Sequence, residues 1–551
     1  MDSDKISNTD LPPAAIEYID AVIKKMRYRK KIRADVRAEL TAHFEDALRD
    51  CDTDDEKAKL TADLIAKFGE PKLLAKLIRR GKKRCRPLWQ KAFIRFGQFV
   101  LILLLLIGLR IAHLGLGRPT ISVDYVQWLN ELGRQGRDEE LNAEPYIRQA
   151  MELLGDKENR RKISDALDIL YEHGQVPEDK QVLIEEILTT YAEVLDQLRK
   201  GAERPYYWVE YKRQPVPEAK GVLKAYLMAA GVLESIMPDL GRYKTAGQLL
   251  GISARWRMNK GDIEGGLDDL FVLQRMGQSL NGRGLLIEQL VGVSIEAMAY
   301  SEFKNAFARY EIPAKSLAKA QERLESRVDD KRLPINMEAE KAFLYDMLQR
   351  GFTDDGNGNG RVILGGMPFV VTTWQRSVKD FALLDFPDRK EVTAQLDRYY
   401  ETIAQLNAKT PRQLYNEGWD DNKWNQIGEE CLLLEILQPA LSKISKMGWR
   451  PRTDQRATVA VMAILRYEKI TGGYPESLDK LVANGYLKKL PMDPFSDGPL
   501  VYRIIDDGFT LYSAGLNMID DDGQYGMKKG KFKQWAENGD AVFWPVWKDE
   551  N

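Results

Sequence analysis

Thiols and imidazoles are scarce in this 551-residue chain, which has 3 cysteines and 3 histidines. Cys51, Cys85 and Cys431 lie far apart and form no C-x-x-C pair, which excludes a disulfide framework and argues against a thiolate metal site. His43, His113 and His173 are equally scattered, and none stands in an H-E-x-x-H or H-x-E setting, so the zinc-hydrolase patterns are missing. In "ELTAHFEDAL", His43 reads as a core-edge or solvent-facing histidine before it reads as a catalytic base. Charge of one sign is lacking too: 82 Lys and Arg against 83 Asp and Glu give no reason to expect a nucleic-acid partner. Walker loop, dinucleotide fingerprint, nucleophile elbow and kinase signatures are absent, which argues against those motif-defined enzymes and against a nucleotide partner. What remains is ordinary globular material, 44% hydrophobic and 30% charged, long enough for several folded units.

One apolar run stands out, "FGQFVLILLLLIGLRIAHLGLG". As a helix, Phe96 to Leu116 spans roughly 30 Å, enough to cross a bilayer. Its upstream flank carries Arg79, Arg80, Lys82, Lys83, Arg84, Arg86, Lys91 and Arg95, and the positive-inside rule keeps that end cytoplasmic. Arg110 and His113 interrupt the second half, as in a buried core helix, although snorkelling towards the far interface accommodates both. The run starts too far into the chain for a cleaved secretory signal. The expectation is a mainly α, single-pass protein of the bacterial inner membrane with a cytoplasmic N-terminus and an extracytoplasmic C-terminus. Its parts are a small helical domain at 1–86, a transmembrane helix at 96–116, a large helical bundle at 120–450 and an α+β module with an antiparallel hairpin at 451–551.

In the N-terminal piece, Ile16, Ile19, Val22, Ile23 and Met26 share one helix face, and Ile32, Val36, Leu40, Phe44 and Leu48 recur every fourth residue on a second. With "VRAELTAHFEDAL" followed by "FGEPKLLAKLI", this order resembles the HAAS-type or permease-prefix helical domain that precedes transmembrane segments in bacterial membrane proteins. The resemblance implies a signalling or interaction module; a helical plug that orients the anchor is the plainer alternative.

Beyond the anchor, "TAGQLLGISARWRMNKGDIEGGLDDLFVLQRMGQSL" reads as two antiparallel helices around a tight turn at Gly261 and Asp262. The hairpin resembles a tetratricopeptide unit, but no second copy follows at that period. The next helix, "LLIEQLVGVSIEAMAYSEFKNAF", is apolar on most faces and is expected to be buried, with Glu288 and Glu296 two turns apart on one face. Such a pair could serve as acid and base in a hydrolase or could be structural. The rings of Tyr206, Tyr207, Trp208 and Tyr211 could form a sugar or peptide platform, or cap the end of the bundle.

The C-terminal hundred residues are the most patterned. A helix from about Asp454 to Ile470 stops at "TGGYP", a short helix follows around Ser477 to Val482, and Asp506, Asp507 and Gly508 separate two alternating runs as a hairpin turn. This order, with "YLKKLPMDPFSDGPLVYR", "FTLYSAGLNMIDDDG" and the closing "GDAVFWP", resembles the globular part of type II secretion major pseudopilins. The chain departs from that family in placing its membrane helix far upstream. The resemblance implies calcium at the acidic turn, here Asp520, Asp521 and Asp522. A second calcium candidate is "FTDDGNGNGRVILGG", where Asp355, Asn357 and Asn359 fill EF-hand-like positions one, three and five and Asp354 adds another oxygen, but Gly366 stands where the bidentate glutamate belongs. A flexible glycine turn is the alternative there. Together these features point to a membrane-anchored envelope binding or scaffold protein with a protein partner; transmembrane signalling and a carboxylate-dependent membrane-associated hydrolase are the alternatives.

Overall fold

The computed structural model describes residues 11–28, 30–84, 88–155, 161–167, 178–212, 240–281, 284–327, 333–363, 387–429, 441–506 and 508–546. His173, Cys85, Cys431, Gly366 and Asp507 lie outside them. Helices dominate, 20 among the described residues, beside a small antiparallel sheet, so the mainly α expectation holds. The chain divides into two compact units, Met1–Ala112 and His113–Asn551.

In the first unit, α1 (Pro13–Lys25), α2 (Lys30–Leu48), α3 (Asp54–Phe68) and α4 (Pro71–Arg84) enclose one core. Val36, Leu40, Phe44 and Leu48 bury the expected stripe of α2 against Tyr18, Ile19, Val22 and Met26. Ile16, expected inward, is 38% exposed, because Ala15 and Tyr18 with Ile19 and Val22 set the buried face one position away. The Tyr18 hydroxyl donates to the Gly69 carbonyl at 2.8 Å and ties α1 to the turn between α3 and α4. The next helix, α5 (Leu88–Gly115), contains a stretch, Ala92–Leu114, that is long and apolar enough to cross a membrane. Phe99, Leu101, Ile102, Leu104, Leu105 and Leu106 along it are all more than half exposed.

The second unit opens with α6 (Tyr125–Arg134), α7 (Glu144–Leu153), α8 (Glu178–Thr190) and α9 (Ala192–Ala202). Its centre is α10 (Leu240–Asn259), α11 (Ile263–Leu280), α12 (Leu286–Arg309) and α13 (Ala314–Glu325). The expected hairpin is α10 and α11: Gly261 takes φ +89°, and Asp262 caps α11 by accepting the Gly265 N–H at 2.9 Å. α11 and α12 cross closely at glycines, since a Cβ on Gly292 would stand 2.7 Å from the Gly277 carbonyl oxygen. Four further helices follow, α14 (Glu338–Gly351), α15 (Arg389–Asn407), α16 (Pro411–Asn416) and α17 (Asp421–Glu429).

The last long helix, α18 (Leu441–Thr471), begins well before the expected start near Asp454 and runs through Pro451. A proline inside a helix removes one backbone hydrogen bond. Burial offsets that loss here, because Trp449 and Ala457 to Ile464 sit in one core with α10 to α13. After α19 (Leu478–Ala483), β1 (Val501–Ile505) and β2 (Gly508–Ser513) form the expected hairpin, with Val501 opposite Tyr512 and Ile505 opposite Gly508. A second hairpin is β3 (Met527–Lys528) with β4 (Lys531–Phe532), and β5 (Ala541–Trp544) completes a three-stranded sheet of order β1-β2-β5. Phe509, Leu511 and Phe543 on that sheet belong to the same core as Phe303 and Phe307 of α12. Sheet and helical bundle are therefore packed as one body around α18.

Candidate functional site

The glycine loop is a closed turn. Phe352 and Val362 form a bridge, Asp355 N–H donates to the Asn359 carbonyl at 2.8 Å, and Gly356 and Gly358 take left-handed φ values of +87° and +81°. Gly360 is required by space, since a Cβ there would meet the Thr353 carbonyl oxygen at 1.9 Å. Of the side chains an EF-hand-like reading assigns to a cation, Asp354, Asp355 and Asn359 accept hydrogen bonds from the chain itself. Asp354 pairs with Arg389 and accepts from Gly356 N–H; Asp355 Oδ1 accepts from Asn357 and Asn359 N–H; Asn359 Oδ1 accepts from Gly360 N–H. The Gly356 N–H first, and then the Arg389 guanidinium, hold the Asp354 carboxyl below its ordinary value.

The C-terminal acidic turn is built differently. Asp520 accepts from the Tyr512 hydroxyl at 2.9 Å, and Arg503 reaches both Asp520, at 3.4 Å, and Asp522, at 2.8 Å. Asp521 accepts from Asn517 Nδ2 at 2.8 Å. Beneath them lies a residue that sequence reasoning missed, Asp540, fully buried at the start of β5. Its Oδ2 accepts the N–H groups of Asp521 and Gly523 at 3.1 and 2.7 Å, while its Oδ1 is buried without a hydrogen-bond partner. Burial pushes this carboxyl up to about 6, against the pull of those two amides and with help from the charges of Asp520 and Asp521. Its place in "NGDAVF", immediately before a strand, is the one sequence signal that marks it. Among the described residues, no three His, Cys, Asp or Glu side chains are gathered tightly enough to hold a metal ion.

Buried polar groups concentrate on α12. Glu288 accepts from the Tyr211 hydroxyl at 2.7 Å and from Leu285 N–H at 2.9 Å, and Glu340 of α14 accepts the adjacent Leu286 N–H at 2.6 Å. Burial raises both carboxyls above their ordinary values. Glu296, the other expected member of a catalytic pair, accepts from Asn281 at 3.0 Å. Glu302 makes a two-pronged pair with Arg255 at 2.6 and 3.0 Å. Lys304 meets Asp454 of α18 at 3.4 Å, and Asp454 also accepts from Gln534 and the Trp535 indole. Glu288 and Glu296 thus serve different partners. The aromatic group that could have been a platform is folded inward: Trp208 and Tyr211 are buried, Tyr207 meets Tyr243 hydroxyl to hydroxyl at 3.2 Å, and Arg137 covers the Tyr206 ring.

The wider comparisons do not extend this picture: no protein-family model, curated protein or solved structure matches the chain.

Proposed function

We propose that the protein is a membrane-anchored binding or scaffold protein of the bacterial cell envelope, with its N-terminal helices cytoplasmic and its large second unit outside. The observation that carries this reading is α5, whose apolar side chains from Phe99 to Leu106 are left largely uncovered over a stretch long enough to cross a bilayer. An apolar surface of that extent is stable in hydrocarbon and costly in water. The basic residues upstream set the orientation. The engagement of the α12 carboxylates by named protein donors favours binding over hydrolysis. The sequence likeness to pseudopilins, with the helix, hairpin and closing strand in the same order, favours an envelope partner, linked to secretion or envelope assembly. Alkaline carbonate extraction and protease accessibility of intact and permeabilised spheroplasts test the reading together. The protein stays with the membrane and the second unit is cut only from outside. Release by carbonate, or cleavage of the second unit only after permeabilisation, overturns it.

Calcium at the C-terminal turn, where backbone carbonyls and water would have to complete a set that the carboxylates alone do not form, is a second reading, favoured by the unpartnered Oδ1 of Asp540 beneath Asp520, Asp521 and Asp522. Hard carboxylate oxygens suit that cation. Calorimetry with calcium on the full chain gives binding that is lost in Asp540→Asn; no heat at millimolar calcium removes the reading.

A further inference from the structure

A cleft of about 260 Å³ lies where α16, α17 and α18 meet the loop at Met518. Its walls are the rings of Tyr415, Trp419 and Trp424. The two indoles stand 5.8 Å apart with their planes at 59°, which makes a corner and not a stack. Trp424 is 5% exposed and forms the floor, while Tyr415 is 59% exposed and stands at the rim. Polar groups from both sides share the space: Asp420 and Asp421 at the start of α17, and Ser442, Ser445 and Lys446 on α18.

The backbone around the cleft is fixed. Thr410 and Gln413 form a reciprocal cap at the start of α16, and Gly418, at φ +74°, turns the chain so that Trp419 N–H donates to the Leu414 carbonyl at 2.9 Å. Asp420 then caps α17 by accepting Lys423 N–H at 2.9 Å. Arg412 ties the far wall in place through the carbonyl of Met518 at 3.2 Å and the carboxylate of Asp497 at 3.0 Å. Such a site is assembled before any ligand arrives.

We infer that this cleft binds a neutral pyranose sugar, as one ring of a glycan. An apolar ring face of a sugar packs on an indole, and its vicinal hydroxyls donate to carboxylates and accept from serine or lysine, which is the set of groups present. The volume is below the roughly 300 Å³ where clefts for drug-sized ligands begin, and so suits one ring. A cationic ligand is the competing occupant, since aromatic walls attract cations and the lining carries two carboxylates against one lysine. Against it, Lys423 lies 6.0 Å from the Trp419 ring centre and Arg412 lies 5.5 Å from that of Tyr415, so each of these rings already has a cation beside it just outside the lining. Asp420 and Asp421 against Lys446 select against an anionic ligand. The site does not depend on whether α5 crosses a membrane.

The test is saturation-transfer NMR on the full chain, held in a detergent without a sugar headgroup, with maltotriose, tri-N-acetylchitotriose and choline as separate probes. At about 10 mM, a sugar with a Kd of about 1 mM is close to saturating. The expected result is transfer to ring protons of at least one sugar, with a Kd from titration raised roughly tenfold in Trp419→Ala and in Tyr415→Ala, which at about 10 mM roughly halves the transfer. Asp421→Asn weakens it as well, whereas Tyr206→Ala, outside the cleft, leaves it unchanged. Tyr415 is at the rim, so its variant tests the cleft even where Trp419→Ala unfolds. No transfer to either sugar, transfer that survives in both Tyr415→Ala and Asp421→Asn, or transfer to choline in place of sugar overturns the assignment.

Discussion

α5 and α12 are both long helices built largely from Leu, Ile, Val, Phe and Ala, and they meet opposite fates. Between Ala92 and Leu114, α5 carries no acidic residue, and from Phe99 to Leu106 it leaves its apolar side chains largely uncovered. α12 buries Glu288, Gln289, Glu296, Glu302 and Lys304, and each has a named partner: Tyr211, Asn336, Asn281, Arg255 and Asp454. Apolar surface alone does not choose between neighbours, since any hydrocarbon will cover it. The polar groups do choose, because each must find its own complement or remain unsatisfied in a low dielectric. They act on α12 as addresses that fix which helices it touches, whereas the stretch of α5 from Phe99 to Leu109 carries no polar side chain and so no such address.

The strongest way to break this contrast is to remove one address. Arg255→Ala removes the two-pronged partner of the buried Glu302 carboxylate, which costs on the order of 3–5 kcal/mol of stability. Replacing both partners by Met and Leu restores much of that loss, because the charge and its complement go together. Chemical denaturation of the full chain in detergent, followed by near-ultraviolet circular dichroism, checks both. Equal stability of Arg255→Ala and the double variant would mean that the pair is no address. On α5 the corresponding change is to add one. Leu104→Arg near the middle of the apolar stretch carries an insertion penalty of about 2.5–3.5 kcal/mol, read as protein released by carbonate. Unchanged retention would place α5 outside the bilayer.

Much of this contrast is legible in the sequence and part of it is not. The periodicity of "LLIEQLVGVSIEAMAYSEFKNAF" announces a buried helix, the Gly261-Asp262 turn announces the α10 and α11 hairpin, and Asp-Gly announces β1 and β2, because each signal lies within a few residues of chain. The partners are another matter. Arg255 meets Glu302 from 47 positions away and Lys304 meets Asp454 from 150, and no local period encodes such pairs. Asp540 escapes for the same reason, being carried beneath Asp521 by the pairing of β5 with β2. Pro451 misleads in the opposite sense, since a local rule against proline yields to burial on either side of it. The aromatic cleft shows the same limit: its rings are near neighbours in sequence, but Ser445 and Met518, which close it, are not.

The smallest expected effect is also the most specific. Glu288 and Glu340 accept the N–H groups of Leu285 and Leu286, successive residues at the start of α12, and burial raises both carboxyls above the ordinary value of 4.5 despite those bonds. Tyr211 faces Glu288 as a neutral donor, and among the described residues no cation perturbs either acid. In the folded protein each acid therefore holds its proton at a pH where the unfolded chain has released it. Their contribution to stability is fully present below the unfolded value and declines as pH rises through the raised folded values. Carboxylates held low, such as Asp262 with Arg257, run the other way and lose their contribution in acid. They are common to wild type and variant, so a difference between the two isolates the buried acids. In the Glu288→Gln, Glu340→Gln variant the amide oxygens still accept from Tyr211, Leu285 and Leu286, but nothing there titrates. Thermal unfolding measured from pH 7.5 down to pH 5 gives wild type a growing advantage relative to the variant as pH falls. Parallel curves would show that burial leaves these acids unperturbed, and the start of α12 would then be an ordinary capped terminus instead of a place where its address depends on pH.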